Sequence, residues 1–384
     1  MTRTRLTLAA AAVAALLAAC GGGGGGDSTT PPPTGGGGGG TVTPPPGGGG
    51  TVTPPPDPYA LQTEVPAPTY AASSWQEFAF NYLNERRKQC GFGLLAQAPE
   101  LDKSAQAHAD YLIQLRKDLG NAAYQTDLHS EDPARPLFTG KQPWDRAKAA
   151  GYTGYAGEQL SGVGVDMARP SMAAQIMMTH DAVQGLLVAP YHLNLMISSS
   201  RDVGLGMSTL TTSDEPTYGS SGGFFIMTVG QKSSTQAHLT QTLSYPCEGT
   251  TDVSEGLYGE SPNPTKGHDP VKLPTGPAIM LMSPPNTTLK VQTASVTPMA
   301  RLDGQPLGDT PTFNYAAAFP SGILILTKDT DTNKYVWETE KVFMLTHKPL
   351  AMGVTYRVEV AYTVSGQAQT KAFQFSTRTK LPTD

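Results

Sequence analysis

Between Gly21 and about Pro58 the chain is glycine runs alternating with proline triplets, and Thr41-Val42-Thr43-Pro44-Pro45-Pro46 recurs as Thr51-Val52-Thr53-Pro54-Pro55-Pro56. A stretch with almost no apolar side chains cannot offset the entropy lost on ordering it, so it is expected to stay a disordered linker. Proline triplets stiffen short pieces and glycine runs keep the joints loose, for a mean reach of roughly 40 Å as a flexible coil. Any hydrophobic core is therefore confined to the chain from about Ala71 to Asp384, which is long enough for two ordinary domains.

Residues 1–19 have a basic start (Arg3, Arg5) and an apolar run from Leu6 to Ala19, too short to span a bilayer and suited to a signal peptide. The run ends in Leu17-Ala18-Ala19-Cys20, which resembles the lipobox of bacterial lipoproteins. That resemblance implies cleavage before Cys20 and acylation of its thiol, palmitate included, leaving residues 20–70 as a lipidated tether. Several acyl chains on one cysteine anchor firmly where a single chain would not. Gly21 is not the aspartate that retains many such proteins in the inner membrane, so the expected location is the outer membrane, facing either the periplasm or the medium.

Loss of Arg3 and Arg5 takes the formal charge from −5 to about −7. No basic run remains that could track a phosphate backbone, which argues against nucleic-acid partners. Apart from Cys20, the cysteines are Cys90 and Cys247, an even pair in an oxidising compartment and hence a candidate disulfide; two buried free thiols are the alternative.

The texture of the chain changes along its length. Residues 74–231 read as helices followed by strands, and residues 273–380 as short alternating runs between turns, giving an α+β expectation with an all-β sandwich at the end. Ser74-Trp75-Gln76-Glu77 is a capping box for a helix whose apolar face is Trp75, Phe78, Tyr82 and Leu83, with Arg86, Arg87 and Lys88 at its C-terminal end. A second helix spans about 99–119, with Leu101, Ala105, Leu112 and Leu115 inward. Pro143 opens a third, in which Trp144, with Tyr152 beyond it, is expected to pack against the sheet. A fourth runs over about 171–188 with Met172, Ile176, Val183 and Leu187 as core filler. Two alternating segments, at 203–207 and 224–228, suggest a hairpin. Gly219-Ser220-Ser221-Gly222-Gly223 fits a nucleophile-elbow pattern but precedes a strand, so it reads as a loop.

The order of short motifs resembles the CAP superfamily of cysteine-rich secretory, antigen 5 and pathogenesis-related proteins, in its bacterial form. The matching pieces are Leu83-Asn84-Glu85-Arg86-Arg87, Leu101-Asp102 with Ala107-His108-Ala109, Leu128-His129-Ser130, Asp145-Arg146-Ala147, Ala150-Gly151-Tyr152, Gly157-Glu158-Gln159-Leu160, Ala189-Pro190-Tyr191-His192, Val203-Gly204-Leu205-Gly206 and Phe224-Phe225-Ile226. The resemblance implies an α-β-α sandwich over residues 71–244 with a cleft into which two histidines and two acidic residues point. His129 and His192 match the histidines and Glu158 the first acid. The second acid has no counterpart, since Val188 and Ala189 stand where it is expected, with His180 and Asp181 about two turns earlier. Gln159 also replaces the family's asparagine. Imidazole and carboxylate donors could hold Zn²⁺ or another divalent ion with one open position, or do acid–base work near neutral pH. His108 beside an apolar helix face reads as a packed histidine, and His238, His268 and His347 receive no role.

Residues 245–272, rich in Pro, Gly and Ser, read as a connector, and 273–384 as an Ig-like module. Val358, Val360 and Tyr362 alternate toward a Ser365-Gly366 turn, Phe373 and Phe375 alternate back, and Leu350 to Tyr356 resembles a tyrosine corner. The expected function is a membrane-anchored binding module for an extracellular lipid, glycan or protein. The alternatives are a metal-assisted hydrolase using His129, Glu158 and His192, or a spacer with a vestigial cleft.

Overall fold

A computed structural model of the chain describes residues 57–165, 170–210, 221–236, 239–265, 269, 271–315 and 322–379. The signal peptide, Cys20, the tether up to residue 56, His238 and His268 lie outside the described residues. Helix α1 (Trp75–Gln89) begins at the capping sequence, where the Ser74 hydroxyl accepts the Glu77 N–H and the Glu77 carboxylate accepts the N–H of Ser73. Strand β1 (Ala96–Gln97) leads into α2 (Pro99–Leu119), which buries all four of its expected inward residues. After a short 3-10 turn come α3 (Pro143–Ala149), β2 (Tyr155–Val165), α4 (Met172–Val188), α5 (Pro190–Met196), β3 (Asp202–Thr209) and β4 (Ser221–Gln231).

These strands form a first sheet in the order β1-β3-β4-β2, with β1 parallel to β3 and the other pairs antiparallel. The pleat of β4 divides its side chains between two helical layers. Phe224 and Ile226 pack with Leu160 against Ala105, Ala109 and Leu112 of α2, while Phe225, Met227 and Val229 face α1, α4 and α5. Gly204 and Gly206 explain how close α2 lies. A Cβ on Gly204 would sit 2.1 Å from the backbone carbon of Leu101, and one on Gly206 would sit 2.3 Å from that of Ala105.

The α4 expectation needs one correction. Met172, in the first turn directly after the Ser171 cap, is about half exposed, and the buried set is Ala174, Met178, Thr179, Ala182, Val183, Gln184, Leu186, Leu187 and Val188. Those positions spread round much of the helix because it is packed on more than one side, which blurs any single stripe.

The remaining strands build two sheets. The second, in the order β10-β11-β7-β5, contains β5 (Leu243–Tyr245), β7 (Ile279–Met282), β10 (Ile323–Leu326) and β11 (Lys341–Thr346). The third, in the order β6-β13-β12-β8-β9, contains β6 (Thr250–Val253), β8 (Leu289–Arg301), β9 (Phe313–Asn314), β12 (Val354–Val364) and β13 (Gln367–Thr377). The β12–β13 hairpin turns on Ser365 (φ 48°) and Gly366 (φ 87°), the two positive angles of a primed two-residue turn.

Ile279, Leu281, Val342 and Met344 of the second sheet share a core with Val296, Tyr356, Val358 and Phe375 of the third. The opposite face of the second sheet, Met280, Met282, Phe343 and Leu345, joins the core of α1, α4 and α5. Burial on both faces accounts for the unbroken apolar runs of β7 and β11. The layers therefore run α2, first sheet, α1 with α4 and α5, second sheet, third sheet. Among the described residues, five α-helices and three sheets make a mixed architecture compatible with the α+β class.

Residues 245–272, expected as a connector, supply Tyr245 to β5 and the whole of β6, and Leu257 bridges to Thr275. A Cys90–Cys247 disulfide, with Cα atoms 5.4 Å apart, ties the end of α1 to the loop between β5 and β6.

Candidate functional site

Four segments converge under the edge strand β2. α2 supplies His108, the loop after the 3-10 turn supplies His129 and Glu131, α3 supplies Arg146, and β2 supplies Glu158. All five are at most 6% exposed. Glu158 Oε1 accepts from His129 Nδ1 at 2.9 Å and lies 3.5 Å from His108 Nε2, while Oε2 accepts from Arg146 Nη2 at 2.8 Å. His108 Nδ1 contacts Glu131 Oε1 at 2.9 Å, and Glu131 also accepts the Thr139 N–H at 2.6 Å. Arg146 Nη1 donates to the His129 carbonyl at 3.0 Å, so one guanidinium holds both the glutamate and the backbone of the histidine it orients.

Burial alone would push the Glu158 carboxyl up. The Arg146 guanidinium, His108 and the hydrogen bond and charge of His129 outweigh it and hold the group well below the usual carboxylate range. An ionised carboxylate only accepts, so His129 Nδ1 donates in this contact, and in a singly protonated ring Nε2 is then the acceptor. That Nε2 is buried with no hydrogen-bond partner among the described residues, and so is Oε1 of the fully buried Gln159. Gln159 spends its amide on the Glu158 carbonyl, at 3.1 Å.

His129, Glu158 and Gln159 line a cleft of about 870 Å³ that opens between the helical layers and the second sheet. Tyr155 to Gln159 line it consecutively, as fits an edge strand. Ser198, Ser199 and Ser200 after α5 form part of the wall, and Trp144, Tyr155 and Trp337 are the most exposed aromatics at it, 37%, 53% and 58% accessible. Trp144 thus departs from its expected packing role. Its short helix is held by the buried Pro143, Arg146 and Ala147 instead, which leaves the indole on the outer side. Tyr152 does pack, fully buried with its hydroxyl donating to Asp202 Oδ2 at 2.6 Å.

His192 belongs to a different pair. Its Nδ1 lies 2.8 Å from Glu260 Oε1, which also accepts the backbone N–H groups of Tyr191 and His192. Burial lifts the Glu260 carboxyl above its usual range against the opposing pull of His192 and those N–H groups. His192 is fully buried and is not part of the cleft wall. The structure therefore brings His129 and Glu158 together and places His192 with Glu260, a partner that no sequence motif marks.

His180 and Asp181, the other positions weighed for the second acid, sit with Asp252 of β6. His180 Nε2 lies 2.7 Å from Asp252 Oδ2 and its Nδ1 3.3 Å from Asp181 Oδ1; these hydrogen bonds raise the imidazole to about 9.

The donors do not suit the divalent ion expected at His129, Glu158 and His192. Both Glu158 oxygens are engaged, a guanidinium 2.8 Å away would repel a cation, and His192 is turned to Glu260. Among the described residues no group of three or more His, Cys, Asp or Glu side chains is placed to hold a metal ion.

Sequence reasoning missed Glu131, Glu260, Asn194, Trp337, Glu338 and Lys341 as contributors. Arg146 was visible only as part of a motif, without its role. Comparison with known proteins adds no further constraint: no family model matches the chain, and no curated protein matches it.

Proposed function

We propose that the chain is a lipid-anchored envelope protein, with a CAP-like helical part and an Ig-like strand part, that binds an extracellular ligand in the cleft between them. The observation that carries this reading is the pair of unpartnered buried polar atoms, His129 Nε2 and Gln159 Oε1, on residues at the wall of an 870 Å³ cleft. Buried polar atoms are costly without partners, and a ligand that donates to both would remove that cost.

Several features support the finer parts of the proposal. The layering of α2, the first sheet and α1 with α4 is what a CAP-like sandwich requires, and the His129–Glu158 contact is of the kind that family points into its cleft. The Tyr356 hydroxyl accepts the Ala351 N–H at 2.8 Å, a tyrosine-corner contact. Leu17-Ala18-Ala19-Cys20 supports lipid anchoring, and the disulfide suits an oxidising envelope compartment.

The test fills the cleft without touching the core. Ser199→Trp places a large side chain at a part-buried position of the wall. A strain producing this variant at normal level is expected to show the envelope or adhesion defect of a deletion strain. Full function of the filled protein would instead leave the chain as a spacer.

One observation favours a second reading, acid–base catalysis. A histidine whose Nδ1 is held by an ionised carboxylate and whose Nε2 is bare is oriented as a general base. On this reading His129→Gln abolishes turnover of a cleft substrate while thermal stability changes little.

A further inference from the structure

From the chemistry of the cleft wall, and resting on its reading as a binding site, we infer that the ligand is a neutral saccharide chain. The protein has three tryptophans. Trp75 is buried in the core, and the other two, Trp144 and Trp337, both line this cleft with their rings partly exposed. Tyr155 joins them with more than half its surface accessible. Isolated exposed aromatics are common on protein surfaces, but three gathered at one concavity mark a recognition surface.

What lies opposite the rings selects among ligands. An acyl chain needs a continuous apolar wall, and here Ala156, Leu195 and Tyr335 share the wall with Ser198, Ser199, Ser200, Gln231 and Thr235. A polyanion needs concentrated positive charge, yet Lys341 Nζ is committed to Glu338 Oε1 at 2.7 Å and Asn194 Oδ1 at 2.6 Å, and Arg146 to Glu158. Lys334 adds one cation at the exposed rim. A pyranose ring has the complementary pattern. When its hydroxyls are equatorial both ring faces are apolar C–H surfaces that stack on an indole, and the hydroxyls radiate in the ring plane toward polar side chains. Each hydroxyl can both donate and accept, so one sugar can donate to Gln159 Oε1 and His129 Nε2 and accept from serine hydroxyls. The cleft holds several rings in volume and is open to solvent along the edge of β2, which suits a chain more than a single sugar.

The experiment titrates the purified full-length chain with cellotetraose and with chitotetraose, following heat and tryptophan fluorescence. Binding of at least one, weakened about tenfold by Trp337→Ala and by Trp144→Ala, is the expected result. Both indoles are surface groups, and circular dichroism of the variants confirms that the fold survives. Absence of binding by either oligosaccharide up to about 10 mM, or binding indifferent to both variants, overturns the inference. Sodium myristate and penta-alanine, titrated in parallel, separate the two levels of the claim. If the oligosaccharides fail while one of these binds and Ser199→Trp abolishes it, the cleft remains a binding site and the saccharide is excluded. If neither binds and the oligosaccharides also fail, the binding reading falls with it.

Discussion

Replacing Glu158 with glutamine tests the core of the site, because the side chain keeps its shape and loses its charge. Arg146 is 1% exposed and donates to Glu158 Oε2 at 2.8 Å, so the substitution removes its nearer counter-charge and leaves the buried guanidinium only Glu131, whose Oε1 lies 3.8 Å from Arg146 Nε. Removing one partner of a buried ion pair costs about 3–5 kcal/mol. Glutamine retains one carbonyl acceptor for Arg146 or His129, but not for both, which places the expected loss at about 3 kcal/mol. If about 300 residues unfold together, that is a fall of about 5 °C in the thermal midpoint. The loss has a defined pH dependence. The folded carboxyl lies below its ordinary value near 4.5, so its stabilisation is fully present above that value and is lost as pH falls through the depressed one. Urea unfolding of wild type and Glu158→Gln should therefore differ by a constant amount from pH 7 down to about 5, and the curves should converge in stronger acid. Adding Arg146→Met to Glu158→Gln should recover part of the loss, since no buried cation then lacks a counter-charge. A loss below about 1 kcal/mol at pH 7, or a difference that persists unchanged in strong acid, would refute the account of a desolvated pair.

Gly206→Ala should cost about 3 kcal/mol or more, because its new Cβ meets the backbone of α2 at 2.3 Å and no side chain can yield; a melting temperature within a degree of wild type would contradict the packing. Cys90→Ser with Cys247→Ser opens a link across 157 residues and should cost about 2–5 kcal/mol, and reductant should lower the stability of wild type but not of the double variant. His180 is raised from 6.5 to about 9 by Asp181 and Asp252, so its contribution is present below about pH 6.5 and lost as pH rises through about 9. With the side chain 27% exposed, His180→Gln should cost about 1–2 kcal/mol at pH 6 and little at pH 10, and a pH-independent loss would count against the assignment. Plasma mass spectrometry of the purified chain should find far less than one metal ion per molecule; near-stoichiometric zinc, lost in both His129→Ala and His192→Ala, would reverse the judgement on the donor set.

Helix positions were legible because their signals are local. Ser74, Pro99, Pro143 and Ser171 sit at or beside helix starts, and Gly120 lies directly after the last residue of α2. The strand edges were less so. β5 and β6 are three and four residues long and take their place only by pairing with β7 and β13, partners far along the chain, so their own composition looks like a connector. Arg87 was legible as a helix-terminal cation but not as a buried one: its guanidinium donates to the carbonyls of Gly93, Met196 and Ser198, two of them more than a hundred residues away, and desolvation lowers it to about 9.

The site divides in the same way. His129 and Glu158 could be paired on paper because the resemblance of their motifs to the CAP superfamily implies a shared cleft, whereas the groups that decide what they can do arrive from elsewhere. Glu260 reaches His192 from a stretch without regular pattern, 68 residues later, and takes it out of the set a metal would need. Arg146 occupies the second oxygen of Glu158 and turns a possible ligand into half of an ion pair. Trp337, Glu338 and Lys341 come from the strand-rich half of the chain and close the cleft from the far side. The motif order thus placed His129 with Glu158 but misplaced His192, and the charge of their neighbours sets the chemistry. Here the guanidinium beside the carboxylate and the aromatic rim of the cleft are the features on which the proposed recognition of an uncharged, hydrogen-bonding ligand rests.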